Sequence, residues 1–200
     1  MLNNTMRRTG LAEVTSAILL LVLLAPVKTA SADPPAFAGL EVLSEPVPGP
    51  TDLVLLDQAG TPVALNEAPV TVLNFWATWC APCVAELPTL LALDEKLGDQ
   101  GLRVVAASLD RSYAQINGFW EGQGWGDSVD VALDTKGSLF RAFSAKDLGA
   151  RGVPYTAIMN ARGDVVSWYA GDTDWASAPV VAYFEGLLAI EKARTEKEAE

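Results

Sequence analysis

Two cysteines separated by two residues are the side chains best suited to chemistry in this sequence. Cys80 and Cys83 lie in the segment NFWATWCAPCVAELPTL, and the chain contains 2 cysteines and no histidine. A closed zinc site needs about four Cys or His ligands, so metal binding is disfavoured. A purely structural disulfide is also disfavoured, because so short a loop stabilises by only about 2 kcal/mol, against about 3 kcal/mol for fifteen residues. The spacing therefore predicts a redox-active disulfide between Cys80 and Cys83, and no metal site.

The elements on either side of the pair predict different roles for the two thiols. Residues 70–76 form a near-continuous apolar run typical of a buried strand, and apolar residues recur at helical spacing between residues 81 and 97. Cys80 is then expected at a helix N-terminus, where free backbone N–H groups and the helix dipole favour an anion. In such sites the pKa of the first thiol falls from about 8.5 to between ~3.5 and ~7.5. Cys80 is the predicted attacking nucleophile, and Cys83, one turn further on the buried side, resolves the mixed disulfide.

The rest of the chain alternates between strand and helix patterns. Residues 53–56 and 63–65 predict a hairpin, 103–109 and 129–133 predict strands, and 155–159 with 165–168 predict a closing antiparallel hairpin. A helical stripe follows Ser112, and a last helix carries Val180 and Phe184. Alternation of this kind predicts an α/β fold.

The N-terminal segment predicts export. Arg7 and Arg8 precede an apolar run, and Ala30-Ser31-Ala32 offers small residues for cleavage, so residues 1–32 are interpreted as a signal peptide cleaved after Ala32. Its uncharged stretch is shorter than the ~20 apolar residues that span a bilayer, and a shortened, uncleaved membrane anchor is the alternative. Residues 33–46 are rich in proline and predict a flexible linker, residues 47–192 the folded domain, and residues 193–200 a charged, fraying tail.

Composition limits the function further. Half of the residues are apolar, which is enough for one sizeable core. Without Arg7, Arg8, Lys28 and Glu13 the chain keeps 24 acidic and 11 basic residues, a net charge of −13. Such acidity disfavours nucleic acid as a partner. Export places the cysteines in an oxidising compartment, where a working thiol pair must be recycled.

Three motifs together resemble one family. NFWATWCAPC, the following ELP and the downstream GVPYT are similar to the thioredoxin superfamily, specifically its exported TlpA/ResA-like disulfide reductases, across residues 47–190. The resemblance implies a thioredoxin-like fold, with a central mixed sheet flanked by helices, an N-terminal hairpin and a central strand-helix insert at residues 111–136. No cofactor is implied.

The resemblance also assigns further catalytic residues. Pro154 matches a cis-proline that faces the redox pair, and a cis X-Pro bond presents the preceding backbone to an extended substrate. Glu86 matches a glutamate near the active site that exchanges a proton with the second cysteine. The competing interpretation of Glu86 is a solvated acid in the first turns of a helix. Asn74 stands where cytosolic thioredoxins keep a buried aspartate, and an amide cannot titrate, which gives Glu86 more weight.

Four residues are expected to contact the substrate, namely Trp79, Pro82, Val153 and Tyr155. Trp79 is expected at an apolar rim around Cys80, whereas Trp76 is expected in the core. Tyr155 departs from close relatives, which often carry a smaller residue directly after the cis-proline, so the fit of the substrate there is expected to differ.

The function implied is that of a periplasmic thiol:disulfide oxidoreductase, a monomer that reduces disulfides in exported apo-proteins. A membrane electron donor of the DsbD/CcdA type would recharge it, and cytochrome c or copper-oxidase assembly would be natural uses. A thiol peroxidase-like enzyme, a copper-binding assembly factor and a binding module with incidental thiols are the alternatives. Met159 is the only methionine after the leader, which argues against copper.

Overall fold

Eight strands form one mixed sheet in the part of the chain described by the computed structural model, residues 34–50, 53–126 and 129–198. In chain order they are β1 (Glu41–Pro48), β2 (Leu55–Leu56), β3 (Pro62–Val63), β4 (Val70–Trp76), β5 (Leu102–Ser108), β6 (Asp130–Leu133), β7 (Tyr155–Asn160) and β8 (Asp164–Ala170). The helices are α1 (Ala81–Leu97), α2 (Tyr113–Gln123), α3 (Ser138–Ala145) and α4 (Ala178–Glu198). The predicted signal segment, residues 1–32, lies outside the described residues.

Strand β4 lies in the interior of the sheet, whose strand order is β1-β8-β7-β4-β5-β6-β2-β3. It pairs in parallel with β5 and antiparallel with β7, and all seven of its residues are buried. A strand covered on both faces favours apolar residues at nearly every position, which explains a run broken only by Thr71 and Asn74. Helices α1 and α2 provide the crossovers between the parallel strands β4, β5 and β6. The predicted α/β fold with a mixed sheet is confirmed.

The two faces of the sheet carry separate apolar clusters. One cluster joins the sheet to α1, α2 and α4, and the other joins it to α3. Successive residues of a strand point to opposite faces, so Val72 and Trp76 belong to the first cluster and Leu73 and Phe75 to the second. Asn74 therefore faces α1 from the middle of β4.

Short elements at the margins agree with the sequence patterns. Strands β2 and β3 pair antiparallel as the predicted hairpin, and Pro62 lies on the outermost strand, where a missing N–H costs no ladder bond. Helix α2 and strand β6 occupy the predicted insert, residues 111–136. None of the helices within the described ranges is long and apolar enough to cross a membrane.

The flexible linker predicted for residues 33–46 is wrong over most of its described part. Phe37 and Leu40 are each only 8% exposed, and residues 41–48 form β1, which pairs antiparallel with β8. Prolines are tolerated because β1 is an edge strand that pairs on one side only, with an irregular register between Val42 and Val47. The folded domain therefore begins before residue 47.

Helix α4 continues to Glu198, so the charged tail predicted after residue 192 is helical over its described part. Glu191 and Arg194 form an i,i+3 ion pair, and Arg162 lies 3.7 Å from Glu198. Side chains three residues apart are neighbours on a helix, so alternating charges support its last turns.

Candidate active site

The first turn of α1 holds the sulfur of Cys80. Cys80 is the N-cap residue of α1, and its Sγ accepts a hydrogen bond from the backbone N–H of Cys83 at 3.4 Å. Pro82 in the first turn removes no hydrogen bond, because N–H groups there have no partner within the helix. The sulfur of Cys80 thus lies where the exposed N–H groups and the dipole of α1 stabilise negative charge.

The two sulfurs form a disulfide and differ in access. Cys80 and Cys83 are bonded, with their Cα atoms 5.3 Å apart. Cys80 is 6% exposed and Cys83 is fully buried, while the neighbouring Trp79 is 68% exposed. A partner molecule therefore reaches Cys80 first, and Cys83 is accessible only from within the protein.

A buried carboxylate holds the loop that leads into the cysteine pair. Asp110 is 4% exposed and accepts hydrogen bonds from the backbone N–H of Thr78 at 2.9 Å and from its hydroxyl at 2.8 Å. The hydroxyl of Ser108 donates to the same carboxylate at 2.8 Å. Sequence reasoning missed Asp110, although it follows β5, whose carboxyl end lies beside that of β4 in the parallel pair.

Replacing this carboxylate is expected to destabilise the fold. Asp110→Ala leaves the half-buried N–H of Thr78 and the buried hydroxyl of Ser108 without their acceptor, which costs about 2 kcal/mol in the free energy of unfolding. Asp110→Asn is the matched control, because its amide oxygen still accepts from the N–H while its NH₂ donates to the Thr78 hydroxyl. Urea denaturation measures both variants. Equal losses in the two would contradict the role of these hydrogen bonds.

Glu86 lies on the buried face of α1, three residues after Cys83, and is 2% exposed. Its Oε1 accepts a hydrogen bond from Asn74 Nδ2 at 2.8 Å. Its Oε2 accepts from Trp175 Nε1 at 3.0 Å and from the backbone N–H of Thr173 at 3.4 Å. The interpretation of Glu86 as a solvated acid is therefore wrong.

Burial changes the proton affinity of this carboxyl. Desolvation raises the pKa of Glu86 from 4.5 to about 7, although hydrogen bonds from Trp175, Asn74 and Thr173 act in the opposite direction. Near neutral pH the group is therefore able both to take up and to release a proton. Asn74 suits both protonation states of Glu86. In the structure its Nδ2 donates to Glu86 Oε1, and its buried Oδ1 has no hydrogen-bond partner among the described residues. A half-turn of the amide would bring Oδ1 to Glu86, where it could accept a hydrogen bond from the protonated carboxyl.

The second loop of the site begins at a cis peptide bond between Val153 and Pro154. Tyr155 at the start of β7 pairs with Phe75 near the end of β4. The cis bond therefore lies at the end of the sheet from which the chain passes into the cysteine motif. Val153 packs against the apolar cluster that contains both cysteines. A surface groove of about 580 Å³ runs along Gly152, Val153 and Pro154, with Ala170 and Gly171 opposite them.

The arrangement matches known proteins over most of its length. The sequence profile of the Redoxin family matches residues 33–182, three quarters of the chain. The chain belongs to the Redoxin family. ResA of Bacillus subtilis, a thiol-disulfide oxidoreductase, is 31% identical over 137 residues, which cover 68% of this chain and 72% of ResA. The thiol:disulfide interchange protein DsbE of Pasteurella multocida is 30% identical over 148 residues, covering 73% and 76% of the two chains.

Solved structures agree with this membership. A crystal structure from Chlorobium tepidum assigned as the thiol:disulfide interchange protein DsbE has a TM-score of 0.62 and 25% identity, covering 73% of this chain and 99% of that one. The predicted thioredoxin-like fold and the TlpA/ResA-like resemblance are confirmed. This Redoxin protein is a thiol:disulfide oxidoreductase.

Most of the predicted site residues of this Redoxin protein lie at one end of the sheet. Trp79 and Pro82 are exposed beside Cys80, and Val153 is half-buried. Trp76 is fully buried in the core, as predicted. Trp79 and Pro82 flank Cys80 in the chain, and Val153 packs against the apolar cluster that contains both cysteines. Contact of these three residues with a substrate stays a prediction.

Tyr155 does not lie where a substrate could touch it. It is fully buried, packs against Phe75 and Phe143 on the face covered by α3, and donates its hydroxyl to the carbonyl of Leu148 at 2.5 Å. The expectation of substrate contact is wrong, because neighbouring residues of a strand point to opposite faces. Thr156, the next residue, points toward α1 and accepts a hydrogen bond from Asn74 at 2.9 Å.

Proposed function

We propose that the protein acts after export as a reductase, opening disulfides in other exported proteins through Cys80 and Cys83. The main support is the asymmetry of the two sulfurs. Cys80 is 6% exposed and accepts an N–H at the start of α1, whereas Cys83, one turn later and three residues before Glu86, is fully buried. An accessible thiolate followed by a protected resolving thiol is what dithiol-disulfide exchange requires.

The reaction proceeds in two exchanges. The Cys80 thiolate attacks one sulfur of a client disulfide, so a Cys80–client bond forms and the other client sulfur leaves as a thiolate. Cys83 then gives its proton to the Glu86 carboxylate, and its thiolate attacks Cys80 Sγ and releases the second client sulfur. Two electrons pass from the cysteine pair to the client. The proton on Glu86 returns to solvent or to the released client thiolate. The pair is left as a disulfide, and two electrons from the donor must reduce it before the next turnover.

Glu86 and the start of α1 act on different thiols. Residues three apart on a helix have Cβ atoms about 5–6 Å apart, so an ionised Glu86 disfavours a thiolate at Cys83, whereas the start of α1 favours one at Cys80. Cys83 therefore becomes a nucleophile when Glu86 takes up its proton.

The groove at the second loop suits an extended client segment. Gly152, Val153 and Pro154 line one side, and Gly171 donates its N–H to the carbonyl of Pro154 at 3.0 Å. Gly152 is exposed beside the cis bond, where a strand-like segment could align with its backbone. Trp79 and Pro82 add exposed apolar surface on either side of Cys80 in the chain.

The cellular setting is part of the same proposal. Residues 1–32 would direct the chain to the periplasm, as a soluble or membrane-anchored protein, and a membrane donor of the DsbD/CcdA type would return electrons to Cys80 and Cys83. Clients in cytochrome c or copper-oxidase assembly fit this setting. Purification from the exporting cell tests the leader: a mature N-terminus at Asp33 supports cleavage after Ala32, and an intact Met1 supports the anchor.

Reduction potential tests the direction of electron flow. Equilibration of the purified protein with a dithiol buffer of known potential is expected to give a value near the roughly −270 mV of thioredoxin. A value near the roughly −120 mV of DsbA would instead make the protein an oxidant and contradict the proposal.

A further inference from the structure

The loop between β8 and α4 contacts the carboxylate of Glu86 from outside α1. Trp175 is fully buried, and its Nε1 donates to Glu86 Oε2 at 3.0 Å across 89 residues of sequence. Thr173 of the same loop donates its backbone N–H to the same oxygen at 3.4 Å. The loop that holds Glu86 Oε2 is therefore separate from both the cysteine motif and the cis-proline loop.

Trp175 is held through both its main chain and its side chain. Its backbone N–H donates to Thr89 Oγ1 at 3.0 Å, and this hydroxyl donates to the carbonyl of Glu86 at 2.7 Å. Three aromatic rings surround the indole, with centroid distances between 5.7 and 6.4 Å: Phe37, Tyr169 and Phe184. Main chain and side chain of Trp175 are therefore both tied to the turn of α1 that carries Glu86, and the N–H is in place before any reaction.

We propose that Trp175 is a positioning residue of the redox site, whose indole N–H holds the Glu86 carboxylate on the face of α1 shared with Cys83 and stabilises its ionised form. The inference rests on the proposed role of Glu86 as the proton acceptor for Cys83. A buried carboxylate needs donors to remain ionised, and hydrogen bonds to a charged group are worth more than neutral ones.

The surroundings of Glu86 contain few other charges. Asp172, an exposed residue of the same loop, raises the pKa of Glu86 by repulsion, and this effect is the weakest of those that act on the group. On α1 the titratable neighbours are Cys80 and Cys83, which do not titrate while they form the disulfide. Strand β4 contributes an uncharged partner, Asn74, which also donates to the hydroxyl of Thr156 on β7. Among the hydrogen bonds that lower the pKa, that of Trp175 is the largest.

Trp175→Phe tests the inference, because it removes the N–H and keeps an aromatic ring. In the oxidised full-length protein, side-chain carboxyl ¹³C NMR is expected to show the titration midpoint of Glu86 moving upward by roughly one pH unit. Trp76→Phe is the matched control: it removes a similar volume from another fully buried tryptophan, whose Nε1 has no hydrogen-bond partner among the described residues. A midpoint in Trp175→Phe equal to that in Trp76→Phe, or lower, would overturn the inference.

A second readout needs no substitution at Trp175. In the wild-type protein the indole N–H resonance of Trp175 is expected to shift with pH around the Glu86 midpoint, and Glu86→Gln is expected to abolish that shift. A resonance that is constant between about pH 5 and 9, where Glu86 changes its charge, would overturn the inference even if Trp175→Phe did not fold.

The kinetics separate this inference from the proposed function. If Glu86→Gln leaves the pH profile of mixed-disulfide resolution unchanged, the proton role of Glu86 fails, and the positioning role of Trp175 in the reaction fails with it. If Glu86→Gln alters the profile but Trp175→Phe does not, only the inference about Trp175 fails. Support requires that both alter the profile and that Trp175→Phe adds nothing in the Glu86→Gln background.

Discussion

Cys83→Ser is expected to arrest the reaction as a covalent complex with the client, whereas Cys80→Ser is expected to abolish disulfide exchange. Of the two cysteines only Cys80 keeps any exposed surface, so that residue is expected to start the reaction. Without the Cys83 thiol, the mixed disulfide has no internal attacker and persists. Removal of the nucleophile is expected to lower turnover by at least about 10³-fold, since nucleophile substitutions in other enzymes cost this much or more.

Capture in the exporting cell measures both effects at once. Cys83→Ser protein is purified under non-reducing conditions, and the trapped clients are released with a thiol and identified by mass spectrometry. The double variant Cys80→Ser with Cys83→Ser is the matched control for non-covalent association. Thiol-releasable clients recovered from the double variant would contradict the assignment of Cys80 as attacker. The same holds if Cys80→Ser protein traps clients as well as Cys83→Ser protein does.

Glu86 is expected to make the oxidised protein less stable as pH rises from about 4.5 to about 7. Below 4.5 both folded and unfolded states keep the proton, but between 4.5 and about 7 the unfolded carboxyl ionises while the folded one stays protonated. The unfolded state then binds fewer protons, so the free energy of unfolding falls with pH. A shift of this size corresponds to about 3 kcal/mol, complete above the folded pKa.

Glu86→Gln is expected to remove this dependence and to be the more stable protein at pH 8. Its amide is accommodated because Asn74 can turn its oxygen toward the new NH₂. Urea unfolding of the oxidised forms across the pH range gives the difference, and Glu95→Gln, an exposed position on α1, controls for the loss of one carboxylate. If the free energy of unfolding changes with pH in the same way for the wild-type protein and Glu86→Gln, the raised pKa of Glu86 is ruled out.

The sequence predicted the parts of the site that are local in the chain. The apolar run of β4, the helical spacing of α1 and the position of Cys80 between them follow from patterns shorter than twenty residues. The same spacing places Glu86 on the face of Cys83, because residues three apart share a face. Its burial depends on Trp175, which lies 89 residues away and carries no pattern that points to it.

The errors also have physical causes. Prolines suggested a flexible linker, yet an edge strand such as β1 tolerates residues that lack an N–H. Tyr155 was expected at the substrate because it follows Pro154 in sequence, but the alternation of side chains along β7 turns it to the opposite face. Asp110 stayed unnoticed because its role depends on the pairing of β4 with β5.

The ultraviolet absorbance of the Cys80 thiolate tests the central claim most directly. In reduced Cys83→Ser protein Cys80 is the only thiol, since the chain has 2 cysteines, so its titration is free of overlap. The start of α1 and the N–H of residue 83 are expected to bring its pKa below about 7.5. A midpoint near 8.5, about that of an ordinary cysteine, would contradict the account.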